Sequence, residues 1–261
     1  MSLVATWLAG WLAVAIAMAS VWLVQRRSRR ADWVDVGWTL GTGALATAFA
    51  LLSEGDAIRR TLIAAFASLW SLRLAWHLVV RLRNSTEDGR YLRLRAHHGD
   101  AADAWLFGFF QFQAFLCAFF ATPALIAARN PGAVGWPEAI GASVWVVAVA
   151  GETVADRQLT RFRNARRDPS RVCRVGLWKY SRHPNYFFEW IHWWSYVCVG
   201  WQAPLGWLTV AAPAAMLLLI GKVTGIPPTE AQSLASRGEA YRKYQREVNA
   251  FVPWRPRRET R

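Results

Sequence analysis

Residues 3–30 read LVATWLAGWLAVAIAMASVWLVQRRSRR: the 22 residues from Leu3 to Val24 carry no charge, and Arg26, Arg27, Arg29 and Arg30 follow at once. A helix rises about 1.5 Å per residue, so such a run can cross the roughly 30 Å hydrocarbon core of a bilayer. Ala17-Met18-Ala19 has the small-x-small look of a cleavage site, but the run lacks a basic start and stays apolar to Val24. It therefore reads as a membrane anchor rather than a signal peptide.

The same pattern recurs outward from this stretch. Apolar runs at 3–24, 33–52, 61–80, 104–128, 136–155, 186–200 and 205–223 predict an all-α polytopic membrane protein with seven transmembrane helices. The connections alternate in charge. Arg81, Arg83, Arg90, Arg93 and Arg95 follow the third run, and nine cations lie between the fifth and the sixth. The second connection has only Arg59 and Arg60, offset by Glu54 and Asp56, and the fourth only Arg129. Lys and Arg concentrate on the cytoplasmic side of membrane proteins, so this places the N-terminus outside and the C-terminus in the cytoplasm.

Composition agrees. Of 261 residues, 54% are hydrophobic and 17 are Trp, while 31 Lys and Arg against 17 Asp and Glu leave a formal charge of +14. That excludes disorder and a disulfide scaffold, and it is too greasy for a nucleic-acid binder. The charge is segregated: 26 of the 31 cations fall in the four segments assigned to the cytoplasm. Cys117, Cys173 and Cys198 are too few for a disulfide framework and read as packing residues. No fixed-period repeat marks a second domain, so residues 1–261 are read as one membrane domain, expected to be monomeric.

After Gly225-Ile226-Pro227-Pro228, Thr229 and Gln232 have capping-box spacing, and Leu234, Tyr241, Tyr244, Val248 and Phe251 recur at helical spacing. A surface helix over 230–249 is expected, amphipathic and lying on the membrane among lipid phosphates.

Ionisable residues inside apolar runs are costly unless they face a partner or a wet cavity. Asp35, Arg73, His77, Glu152, Asp156, Glu189 and His192 are such residues. Gly41-Thr42-Gly43-Ala44-Leu45-Ala46 fits a loose dinucleotide fingerprint, but it lies within a membrane run and follows no strand. Gly37 and Gly41 make better sense as a small-xxx-small face for close helix packing. Ser85 and Asp88 are spaced as a helix cap. The His97–His98 pair invites a metal reading, but adjacent residues point to different sides of a helix, so no metal site is expected. The run GLWKYSRHPNY at 176–186 puts Pro184 at the first turn of the sixth helix. Its free N–H groups beside Arg171, Lys179 and Arg182 could hold an anion, and an ordinary positive-inside loop has the same composition.

Asp35-Val36-Gly37-Trp38, Glu87-Asp88-Gly89-Arg90-Tyr91, Ala155-Asp156-Arg157-Gln158-Leu159, the 176–186 run, Gly225-Ile226-Pro227 and the closing 241–254 segment together resemble the bacterial branch of the steroid 5α-reductase family. The likeness covers nearly the whole chain. The order of the six segments is its specific part, because sterol reductases and membrane methyltransferases share the Arg-His-Pro-Asn-Tyr piece. The resemblance implies a multi-pass reductase of the bacterial inner membrane that binds NADPH on the cytoplasmic side and reduces the carbon–carbon double bond of a 3-oxo-4-ene steroid or similar lipid enone. It implies cofactor contacts at Arg73, Asp156, Arg163, Arg171, Asn185 and Glu189, joined by Tyr180, Arg182 and His183 of the shared segment. Glu87, Asp88, Arg90 and Tyr91 would line the same pocket. Trp70 stands where the animal enzymes have the Tyr of a catalytic Glu-Tyr pair, and Asp35 is the nearest acid for the Glu.

Hydride addition to the β-carbon of an enone develops negative charge on its carbonyl oxygen, which needs a donor already aimed at it. A carboxylic acid in an apolar setting can keep its proton, which would let Asp35 donate. An S-adenosylmethionine-dependent methyltransferase of the isoprenylcysteine or phospholipid type is the alternative, supported by Arg-His-Pro-Asn-Tyr and by Glu230. It has no need of so many phosphate-suited arginines. A lipid-binding scaffold is the third reading, and it predicts no nucleotide binding.

Overall fold

The computed structural model describes residues 2–83, 87, 89–165, 168 and 170–257, without the side chains of Arg90 and Arg93. Nine α-helices and no strand occur among the described residues: α1 Leu3–Ser28, α2 Trp33–Leu52, α3 Ala57–Arg83, α4 Gly89–His98, α5 Ala102–Ala128, α6 Trp136–Ala165, α7 Pro184–Gly200, α8 Ala211–Leu218 and α9 Ile226–Glu247. The chain forms two units, 1–135 with 199–209, and 136–198 with 210–261.

Among the described residues six helical stretches are long and apolar enough to cross a membrane, as in a multi-pass membrane protein: Leu3–Ser28, Trp33–Leu52, Ala57–Arg83, Leu94–Ala128, Trp136–Ala165 and Gly206–Glu247. The run at 186–200 is α7, whose 17 residues span about 25 Å, the short end of what a crossing needs. Helix α1 buries only Val14, Met18 and Gln25 and leaves Val4, Leu8, Leu12 and Ile16 exposed. That is a surface for lipid rather than water.

In the first unit α2 is the central helix, packed against α1, α3 and α5. Its glycines explain why. A Cβ on Gly37 would come within 3.1 Å of the Met18 sulfur, one on Gly41 within 3.2 Å of the Cys117 sulfur, and one on Gly43 would overlap Ser71. The Gly-x-Gly segment is thus helical and serves close packing on three sides. Arg59, assigned to an outer loop by its charge, is 1% exposed. Its guanidinium donates to the carbonyls of Asn130 at 2.8 Å, Gly132 at 2.9 Å and Ala133 at 3.2 Å, which satisfies backbone acceptors just beyond α5.

In the second unit α6 runs to Ala165, ten residues past the apolar run that ends at 155, because Asp156, Arg157, Arg161 and Arg163 continue it as a polar helix. The following connection is fixed to α6. Gln158 accepts from the Leu177 N–H at 2.9 Å and Trp178 Nε1 donates to the Ala155 carbonyl at 2.9 Å. Gly176 takes a φ of +55°, and a Cβ there would overlap the Gln158 amide.

Helix α9 departs from the sequence expectation at its start. It begins at Ile226 with prolines in its first turn, where their missing N–H groups cost nothing. Thr229 is therefore inside the helix rather than its cap, and its hydroxyl meets the Tyr186 hydroxyl at 3.3 Å. Gly238, with φ +51°, breaks α9 into two arms. The apolar face of the second arm is covered by protein: Tyr241, Tyr244 and Val248 are buried together with Val172 and Leu234 packed against them.

Candidate functional site

In the first unit the polar residues gather where α4 meets the α1–α2 turn. Glu87 accepts from the Ala31 N–H at 2.6 Å and pairs with Arg95 at 3.4 Å. Arg95 also donates to the buried Gln25 side chain at 2.7 Å, while Arg30 closes the turn on Asp32 at 2.9 Å. Helix α4, pinned in this way, brings its buried Tyr91 to Asp35, with the hydroxyl 3.2 Å from the carboxylate. Arg81 of α3 lies 3.8 Å from the same carboxylate. Asp35 is used here as an acceptor, between a phenol and a guanidinium. Asp88, the Arg90 side chain and the Ser85–Asp88 cap lie outside the described residues.

Arg73 and His77 sit one turn apart on α3, both half-buried. Trp70 is 1% exposed and meets Trp38 edge to face at 6.2 Å, within the packing core of the first unit. His97 and His98 meet edge to face, and His98 stacks on Trp105 at 4.9 Å.

In the second unit a second polar group surrounds the start of α7. Asp156 is buried and accepts from Asn185 Nδ2 at 3.3 Å. The other side of that amide is distinctive: Asn185 Oδ1 is buried and has no hydrogen-bond partner among the described residues. Such an acceptor costs free energy unless something donates to it. One turn further, Glu189 is buried and accepts from Trp193 Nε1 at 3.2 Å. Arg163, Arg171 and Tyr180 are exposed.

Arg182 and His183, read as cofactor contacts, are engaged by the protein. Arg182 Nε donates to Glu230 at 2.6 Å, and its Nη1 donates to the carbonyls of Gln245, at 3.1 Å, and Val248. His183 Nε2 lies 3.3 Å from the same Glu230 oxygen, Tyr241 donates to it at 3.4 Å, and Gln245 donates to the other oxygen at 2.7 Å. Glu230 thus joins both arms of α9 to the segment before α7. Burial opposes its charge, but the hydrogen bonds from His183 and Arg182, with the Arg182 charge, hold its carboxyl down at about 2. Burial and the Glu230 charge push the Tyr241 phenol up to about 12.

The backbone completes the attachment. Arg182 N–H donates to Asn249 at 2.9 Å, Trp254 N–H to Tyr180 at 2.9 Å, and the Ser181 hydroxyl to Phe251 at 2.7 Å. The Gln245 and 248–251 carbonyls escape sequence reading because their partners before α7 are 63 to 70 residues away. Only the mixture of acids and Tyr in the tail hints at them.

The protein family described as "Protein of unknown function (DUF1295)" matches residues 21–248, a range that includes both polar groups. The chain belongs to the DUF1295 family. That family includes steroid 5α-reductase-like proteins. An uncharacterized protein of Schizosaccharomyces pombe is 27% identical over 271 aligned positions, covering 89% of this chain and 75% of its own length. No solved structure matches. The family range runs from before Gln25 to Val248 and stops short of Asn249, Phe251 and Trp254.

Proposed function

We propose that this DUF1295 protein is an NADPH-dependent integral-membrane reductase of the carbon–carbon double bond of a 3-oxo-4-ene steroid or similar lipid enone. It crosses the bacterial inner membrane seven times, with its N-terminus outside and its C-terminus in the cytoplasm. When bound, NADPH supplies the hydride that adds to the β-carbon.

The observation that carries the reading is Asn185. Its amide is oriented by Asp156 at 3.3 Å and leaves a buried oxygen with no described donor, which suits the carboxamide or hydroxyl donors of a nicotinamide nucleotide. Asp156, Asn185 and Glu189 are the residues assigned to hold and orient that end, with Arg73, Arg163 and Arg171 as further contacts. Asp35 is assigned, with Tyr91 hydrogen-bonded to it, to the carbonyl oxygen of the enone, where negative charge develops. Membership of a family that includes steroid 5α-reductase-like proteins supports the same chemistry.

The methyltransferase reading draws on the shared Arg-His-Pro-Asn-Tyr segment and on Glu230. Its carboxylate already receives four side-chain donors, which leaves little capacity to bind the cation of a methyl donor. The test is to incubate the purified protein with NADPH, with and without a 3-oxo-4-ene steroid, and separately with S-adenosylmethionine and a lipid acceptor. NADPH oxidation that depends on the enone is expected. Methyl transfer without NADPH oxidation would overturn the proposal.

A further inference from the structure

The apolar face on the second arm of α9 is covered by protein, but the chain beyond it presents another surface. Past Val248 the segment to Arg257 is not helical, and its side chains alternate. Phe251 and Pro253 are half-buried, while Val252 and Trp254 are exposed, Trp254 at 68%. The inward residues and the backbone fix the segment against the start of α7. The Phe251 ring packs on Phe187 at 5.6 Å and on Trp190 at 5.8 Å, along the opening turns of that helix. The Phe251 carbonyl accepts from the Ser181 hydroxyl at 2.7 Å, and the Trp254 N–H donates to the Tyr180 carbonyl at 2.9 Å. The segment therefore passes from the level of Trp190 back to Tyr180, across the point where the apolar run at 186–200 begins.

Three exposed cations, Lys179, Arg255 and Arg257, flank the exposed Tyr180 and Trp254. The Lys179 ammonium lies 6.0 Å from the Tyr180 ring. Among the described residues none of the three is ion-paired. An indole and a valine at the mouth of an apolar run, bordered by cations without counter-charges, match the layers of a bilayer surface: aromatic rings settle between headgroups and acyl chains, and Lys and Arg just outside attract anionic headgroups. We propose that residues 252–257 are an interfacial anchor seated on an anionic bilayer surface. Val252 and Trp254 enter the boundary of headgroups and acyl chains, and Lys179, Arg255 and Arg257 meet lipid phosphates. The anchor rests on α7 entering the bilayer, as the reading above has it, and on none of the reductase chemistry. Arg182, which Glu230 clasps, also donates its N–H to Asn249 at 2.9 Å, so lipid contact at 252–257 holds the tail against the start of α7.

The experiment is fluorescence quenching of the full-length protein in nanodiscs of equal parts phosphatidylcholine and phosphatidylglycerol, by lipids brominated near the top of the acyl chain or by aqueous iodide. The difference between wild type and Trp254→Phe gives the Trp254 share of the emission. Trp201→Phe gives the share of Trp201, an exposed residue that directly follows α7. Trp254→Phe keeps the backbone bond to Tyr180, so its melting temperature in detergent should match that of wild type. Brominated lipid is expected to remove most of the Trp254 share and iodide little of it. In the Arg255→Gln, Arg257→Gln double variant the Trp254 share should shift from lipid quenching toward iodide quenching. Equal lipid quenching in the double variant and in wild type overturns the phosphate contacts. Iodide quenching of Trp254 while lipid quenches Trp201 overturns the anchor alone. Iodide quenching of both overturns the anchor together with the crossing of α7. Protection of Trp254 from both quenchers assigns the patch to a protein partner or a second copy and overturns the lipid contact.

Discussion

Arg182 and Glu230 meet at 2.6 Å across 48 residues of sequence, each with at most 14% of its side chain exposed. The pair fixes the α9 arms to the segment that starts α7, and through Val248 and Gln245 it also satisfies carbonyls at the end of α9. Removing one partner leaves the other charge partly buried and short of hydrogen bonds. Glu230→Gln should therefore cost about 2 kcal/mol of stability, measured by thermal denaturation in detergent. Arg182→Gln should cost a similar amount, and the double variant less than the sum, because each change already removes the shared contact. Strict additivity would show that the pair does not act as a unit.

The same carboxylate sets a pH dependence. Its pKa is about 2 in the folded chain against an ordinary 4.5, so the unfolded chain binds its proton first as pH falls. The stabilisation from Glu230 should be complete above pH 4.5, shrink steadily below it, and vanish near 2. The difference in melting temperature between wild type and Glu230→Gln, followed over that window, reads this directly. A gap at pH 3 as wide as at pH 7 would assign the effect to something other than ionisation.

The helices were legible because burial in lipid demands long apolar runs, and those runs are continuous in sequence. The role of Gly37 and Gly41 was legible for a related reason: small residues four apart on one helix face need only local spacing to be recognised. The polar clusters were not. Gln25, Glu87 and Arg95 meet through α4, and Glu230, Tyr241 and Gln245 meet across a kink at Gly238, so no spacing rule reports either group. Thr229 shows the opposite failure. A valid capping pattern lost to a pair of prolines that start the helix one turn earlier. Arg59 shows a third, since a charge counted in an outer connection is buried against three backbone carbonyls of 130–133.

Gly176 tests the connection before α7. A left-handed φ of +55° is costly for a residue with a Cβ, by about 1–2 kcal/mol, and the Cβ would also displace the Gln158 amide that holds Leu177. Gly176→Ala should lower the melting temperature. Gly108→Ala is the control, being helical with open space around it, and should be neutral or slightly stabilising. Equal effects would remove Gly176 from the account of this turn.

The central position of α2 predicts a packing defect. A valine at Gly43 would drive its side chain into Ser71 of α3, where backbone stands close behind. Gly43→Val should cost roughly 1–3 kcal/mol or more and reduce the yield of folded protein in detergent. Ser71→Gly removes both the hydroxyl and the Cβ that a side chain at 43 would overlap, so Gly43→Ala should cost less in a Ser71→Gly background than in the wild type. No recovery would mean that the α2–α3 approach at this level is not what Gly43 provides.

The Asp35–Tyr91 contact carries the prediction closest to the chemistry. Asp35 accepts from the phenol at 3.2 Å and faces Arg81, so both a proton and a positive charge are held at one carboxylate. Replacement by Asn keeps the size but removes the charge that orients Tyr91 and Arg81. If this group serves the carbonyl oxygen, Asp35→Asn should reduce enone-dependent NADPH oxidation by about 10²-fold, as loss of a preorganised donor does, while NADPH binding followed by fluorescence stays intact. Tyr91→Phe tests the phenol itself: a loss as large as that of Asp35→Asn identifies the phenol as the donor that Asp35 orients, and a small loss removes the phenol from that role. Full turnover by both variants with NADPH bound would exclude the pair from the reaction.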